Sequence, residues 1–101
     1  MANKGEISLR EKVAELFVIR ASCHASDEER DFPLWEQSNE KLKKLLGEGI
    51  GGVILFGGSA TELEQRCLCL QEWATKPLLL CADIEEGLGQ RFKGGTWLVP
   101  P

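Results

Sequence analysis

The stretch Pro77-Leu78-Leu79-Leu80-Cys81-Ala82-Asp83-Ile84-Glu85-Glu86-Gly87-Leu88-Gly89-Gln90-Arg91-Phe92 begins as an unbroken apolar run and turns abruptly into acids, glycines and an arginine. A run of this kind reads as a buried parallel strand, covered by helices on both faces of its sheet. Asp83 then falls where the strand emerges at its carboxyl end. Ligands in α/β folds are held at that edge, so the stretch predicts a fold class and a place for a site together.

Upstream, the same pattern repeats. Gly51-Gly52-Val53-Ile54-Leu55-Phe56-Gly57-Gly58 is an apolar run fenced by glycines, and Leu16-Phe17-Val18-Ile19 is a third. Strands are therefore predicted near residues 16–20, 52–56 and 78–82. Between them lie amphipathic segments. Ser8-Leu9-Arg10-Glu11 and Ser59-Ala60-Thr61-Glu62 both have the spacing of a capping box, in which a serine oxygen accepts from the amide three residues on. Leu9, Val13, Leu16 and Phe17 follow the first box at helical spacing, and the helix-to-strand boundary falls near Leu16. Trp35, Ser38, Leu42, Leu45 and Leu46 mark one face of a second helix, with Lys41, Lys43 and Lys44 outside and Gly47 and Gly49 as its stop. In the third helix, Leu63, Cys67, Leu70 and Ala74 form the apolar face, while Glu62, Glu64, Arg66 and Glu72 are expected to face water. Residues 21–33 have no period and read as a loop. Helices alternating with apolar runs imply parallel strands with right-handed crossovers.

The chain has 101 residues, of which 43 % are hydrophobic and 28 % charged, so it amounts to one domain at most. A net charge of −4 without a basic cluster excludes a phosphate-backbone binder. Its apolar runs are far shorter than the ~18 residues of a membrane span, and the charged start lacks a signal-peptide core, which together predict a cytoplasmic protein. The cysteines at 23, 67, 69 and 81 include no C-x-x-C pair, so neither a metal site nor a disulfide is expected. Nothing in the sequence calls for a cofactor.

Asp83 and Glu85 lie two apart, which on an extended backbone would point both to one side about 6.6 Å apart along the chain. That spacing admits an acid and base pair, but acids after strands are commonly solvated or cap the next turn. Gly57-Gly58-Ser59 and Gly87-Leu88-Gly89 lack dinucleotide or P-loop spacing and read as tight turns, with Gly87 and Gly89 permitting positive φ or close backbone approach. His24, alone in a polar loop, reads as solvated, and so does the charged run from Asp27 to Asp31. Trp35 and Trp97 fit either a core or a surface on which a sugar ring stacks.

The order Asp83-x-Glu85-x-Gly87-x-x-Gln90-Arg91-Phe92, then Gly94-Gly95-Thr96 and Pro100, resembles the amino-terminal domain of family 3 glycoside hydrolases, above all the β-N-acetylhexosaminidase branch. Leu9-Arg10-Glu11-Lys12-Val13-Ala14 is similar to that family's opening helix, and Gly49-Ile50-Gly51-Gly52-Val53-Ile54-Leu55-Phe56 to its second strand. Glu86 stands where the branch usually carries glycine.

The resemblance implies an α/β fold, the amino-terminal portion of a (β/α)8 TIM barrel, with residues 1–101 supplying about three βα units. It implies a carbohydrate substrate, with Asp83 accepting from sugar hydroxyls and Arg91 helping to bind there, and Glu85 and Gln90 in support. The nucleophilic aspartate and the histidine proton donor belong to later segments of the family barrel, so no catalytic residue is expected here and His24 does not inherit that role. Hydrolysis of terminal β-linked N-acetylhexosamine is the implied activity of the whole protein, with the isolated chain inactive. A β-glucosidase of the same family and a non-enzymatic remnant are the alternatives. Three parallel strands leave two sheet edges open, which predicts self-association of the isolated chain.

Overall fold

A computed structural model describes residues 8–85 and 87–97. Three strands, β1 (Val18–Ala21), β2 (Gly52–Leu55) and β3 (Leu79–Cys81), form one parallel sheet in the order β1-β2-β3. Helices α1 (Leu9–Ala14), α2 (Asn39–Gly47) and α3 (Ala60–Trp73) precede and separate them. All three predicted strands are therefore present, each one or two residues shorter than or displaced from its apolar run. The Pro100 and Glu86 positions of the family motif lie outside the described residues.

Both predicted capping sites are used. Ser59 Oγ accepts from the Glu62 amide at 3.2 Å while Glu62 Oε1 accepts from the Ser59 amide at 3.1 Å, closing the reciprocal box at the start of α3. Ser8 caps α1 by accepting from the Glu11 amide at 3.1 Å. That helix stops at Ala14, and Leu16 and Phe17 lie in the turn before β1 rather than on its face. The second helix also begins later than its apolar spacing suggests. Ser38 is its N-cap, accepting from the Lys41 amide, and Trp35 sits before it in a short 3-10 turn, Pro33–Trp35.

The core joins Ala21, Val53 and Leu55 of the sheet to Leu42 and Leu46 of α2, Leu70 of α3, and Cys23 and Phe92 from the loops. Each fully buried Leu or Phe contributes about 1.5–3 kcal/mol of apolar transfer. The register explains the sheet's two faces. Ile19, Ala21, Val53, Leu55 and Leu80 pack with the helices, whereas Val18, Arg20, Ile54 and Leu79 alternate with them. Sequential strands with crossovers of one hand keep both connecting helices on one side. The expectation of cover on both faces is thus corrected: among the described residues one face is packed, and Val18, Arg20 and Leu79 remain exposed on the other. Leu9 and Leu16, 78 % and 82 % exposed, likewise lack an apolar cover.

Arg66 departs from its expected solvent face and is 3 % exposed. Its Nε donates to the Ser22 carbonyl at 2.9 Å, and the Ser22 amide donates to Glu36 Oε1 at 2.9 Å. Arg30 Nε lies 3.7 Å from the same oxygen. A buried charge is tolerated only with partners; Arg66 finds one in the Ser22 carbonyl, and Glu36 in the Ser22 amide with Arg30 close by. These contacts clamp the loop between β1 and α2 onto α3. Burial holds the Arg66 guanidinium below its usual pKa. All four cysteines are free.

Candidate functional site

At the carboxyl edge of the sheet the chain after β3 folds back over β2. Gly87 (φ 106°) starts a 3-10 turn, Leu88–Gln90, in a backbone region where a side chain would be strained. Gly89 has a different need: a Cβ there would stand 2.5 Å from the Trp97 ring. The two glycines thus fill the two roles read for them, positive φ and close approach. The returning backbone bonds to the exit of β2, with the Gly57 amide donating to the Arg91 carbonyl at 3.1 Å and the Lys93 amide to the Gly58 carbonyl at 2.9 Å. Phe92, 1 % exposed, anchors this loop in the core.

That return places Gln90 and Arg91 over the segment they follow. Gln90 Oε1 accepts from the Glu85 amide at 2.7 Å. Arg91 Nε donates to the Asp83 main-chain carbonyl at 2.8 Å, and its Nη2 lies 3.4 Å from Asp83 Oδ2. All four residues singled out in the sequence therefore meet, Asp83 with Arg91 and Glu85 with Gln90. Glu85 is held through its backbone, and its side chain is exposed.

Asp83, Gln90 and Arg91 line a cavity of about 530 Å³ together with Arg20, Ile54, Phe56, Phe32 and Trp35. Phe32 and Trp35 stack with centroids 4.9 Å apart and planes at 22°, and Phe56 adjoins Trp35 at 6.4 Å. The Arg20 guanidinium sits 5.9 Å from the Trp35 ring centre. Trp35 is 54 % exposed, so its ring is a wall and not core. Trp97 packs on the Gly89 turn instead. The wall combines apolar ring faces with a carboxylate acceptor and guanidinium donors, a set suited to a polyhydroxylated ligand. Arg20 and Phe32 are additional members that the sequence signalled only faintly, as a charge closing an apolar run and an aromatic inside a polar loop.

His24 also differs from its sequence reading. Its side chain is only 14 % exposed, with Nε2 3.5 Å from Asp31 Oδ2 and Nδ1 3.5 Å from Glu62 Oε2. It is not solvated, and it does not line the cavity beside Asp83.

A parallel sheet with helices between its strands, an Asp–Arg pair at its carboxyl edge and an aromatic-walled cavity beside that pair define an α/β domain. The chain belongs to glycosyl hydrolase family 3: the family model described as the Glycosyl hydrolase family 3 N terminal domain matches residues 8–101. It is similar to the protein named Beta-hexosaminidase from Tolumonas auensis, 40 % identical over 69 residues, covering 65 % of this chain and 21 % of that protein. It is also similar to Beta-hexosaminidase from Vibrio cholerae serotype O1, 35 % identical over 78 residues, covering 68 % of this chain and 24 % of that protein. The aligned region thus spans under a quarter of each curated relative. Among the described residues no helix is long and apolar enough to cross a membrane.

Proposed function

We propose that this chain is the amino-terminal part of a β-N-acetylhexosaminidase, contributing the first three strands of a (β/α)8 barrel and the carboxylate and guanidinium that grip the sugar to be cleaved. The observation that carries the reading is the Asp83–Arg91 pair at the mouth of an aromatic-walled cavity. The sheet face left without helices has the character of a barrel interior awaiting further strands, and sequential parallel order is how such barrels begin.

The chemistry follows from the side chains. Ionised Asp83 accepts hydrogen bonds from two neighbouring hydroxyls, and Arg91 presents fixed donors while holding the Asp83 backbone in place. Trp35 and Phe32 offer apolar faces to a pyranose ring. Glu85 and Gln90 support the turn. Retaining hydrolysis needs a nucleophile and a proton donor on opposite sides of the glycosidic bond, and the family resemblance assigns both to later barrel segments. The 101 residues therefore bind and orient, and do not hydrolyse alone.

The test joins this chain to the coding sequence that continues it and compares chromogenic β-N-acetylglucosaminide with β-glucoside. The expected result is turnover of the former. Asp83→Asn should lower kcat/KM ten- to a hundredfold, the effect of weakening a charge-assisted bond worth about 1.5–3 kcal/mol. Trp35→Ala should lower it about two- to tenfold by removing an aromatic contact of about 0.5–1.5 kcal/mol. Preference for the β-glucoside would favour the glucosidase branch, and inactivity of the joined protein the non-enzymatic remnant.

A further inference from the structure

We propose that His24, Glu29 and Glu62 form a divalent-cation site, best fitted to zinc, between the β1–α2 loop and the start of α3. One ligand atom from each of the three residues can be chosen so that all lie within 4.8 Å of one another. The Nδ1 to Oε2 distance between His24 and Glu62 is 3.5 Å. This is long for a hydrogen bond, yet two ligands each about 2.0–2.2 Å from a tetrahedral zinc lie about 3.3–3.6 Å apart. Both His24 nitrogens are buried, and each faces a carboxylate oxygen at 3.5 Å, too far for a hydrogen bond of normal geometry.

The surroundings have the form of a supported metal site. Metal-bound histidines usually donate their second ring N–H to a carboxylate, and Asp31 Oδ2 stands 3.5 Å from His24 Nε2 on the far side of the ring. Glu62 is oriented by its own helix, because the capping box occupies Oε1 and leaves Oε2 toward His24. Glu29 ends a 3-10 turn, Asp27–Glu29, that Ser26 caps and that Asp27 ties to the Asn39 amide at 3.0 Å. His24 follows Cys23, which the core buries. Each ligand thus comes from a fixed element.

An imidazole with two carboxylates suits zinc better than magnesium, which prefers oxygen ligands alone, and two anions balance the cation's charge. Glu29 is exposed, leaving the fourth position open to water. The same loop carries Phe32 and Trp35, so a bound ion would brace the aromatic wall. The paired-cysteine spacing that first argues against a metal is irrelevant here, since the ligands are drawn from separate segments and include no thiol.

The test titrates Zn²⁺ into the metal-stripped full chain by calorimetry and Co²⁺ by absorption. The expected result is one ion per chain, with visible Co²⁺ bands of a four-coordinate nitrogen–oxygen site and no near-ultraviolet thiolate band. His24→Gln and Glu29→Gln should each weaken Zn²⁺ binding at least tenfold, and Asp31→Asn about tenfold. Glu29 is exposed, so Glu29→Gln decides the matter even if His24→Gln fails to fold. Absence of binding to the unaltered chain, a thiolate band, or undiminished binding by Glu29→Gln would overturn the site.

Discussion

Arg91 holds Asp83 by its backbone and faces its carboxylate: Nε donates to the main-chain carbonyl at 2.8 Å and Nη2 stands 3.4 Å from Oδ2. The stronger contact is to the carbonyl, which leaves most of the carboxylate's capacity for a ligand. Arg91→Lys retains the charge but loses the planar fork. It should therefore speed amide exchange at Glu85, within the turn that the fork steadies, and lower N-acetylglucosamine affinity about tenfold for the loss of one charge-assisted bond. Exchange and affinity matching the unaltered chain would show that charge alone suffices.

Phe92→Ala should destabilise the chain by about 3–5 kcal/mol, because a fully buried ring is replaced by a cavity. The loss should register as a fall in the urea midpoint. Since Phe92 sits next to Arg91, the tryptophan fluorescence of Trp97, on the Gly89 turn, should change before that of Trp73 as urea rises. Simultaneous loss at both would show instead that the loop and core unfold as one.

Burial pushes the Cys23 thiol up to about 12, with Cys67 and Cys69 raised by the same cause. A raised folded pKa gives stability that is complete below the unfolded value of about 8.5 and is lost as pH climbs through the folded one. The urea midpoint should thus fall between about pH 9 and 12. Cys23→Ala should flatten that slope without abolishing it, since the other two thiols remain. A midpoint that rose with pH over this range would contradict the sign.

Leu79 is 60 % exposed on the edge strand β3. Edge strands with apolar side chains template pairing with other chains, and a lysine there opposes it. Light scattering should show concentration-dependent association of the isolated chain, reduced by Leu79→Lys. A monomer at every concentration would remove the prediction that the open edges self-associate.

Much of the fold was legible locally. The run Gly52–Leu55 became β2 because β-branched and aliphatic residues fill both faces of a short strand, and Ser59 with Glu62 began α3 because a capping box needs only four residues. Trp35 misled, since its helical spacing to Ser38 and Leu42 continues a pattern that Ser38 interrupts as a cap. Arg66 misled for another reason: its spacing fits the outer face of α3, but the β1–α2 loop folds over that face and buries it with Glu36. The four motif residues were visible as types in order, while their pairing was not.

By itself the sequence determined the three strands, the starts of α1 and α3, and the turn glycines at 87 and 89, because each depends on steric and hydrogen-bonding relations within a few residues. It also carried the motif Asp83 to Phe92, which lies within the residues 8–101 that the family model matches. Only the tertiary structure decided which sheet face is covered, which charges are buried, that Arg91 reaches back to Asp83, and that His24, Glu29 and Glu62 converge. Those relations include pairs as far apart as Ser22 and Arg66, 44 positions, and their distances follow from strand register and loop packing, which no local spacing encodes.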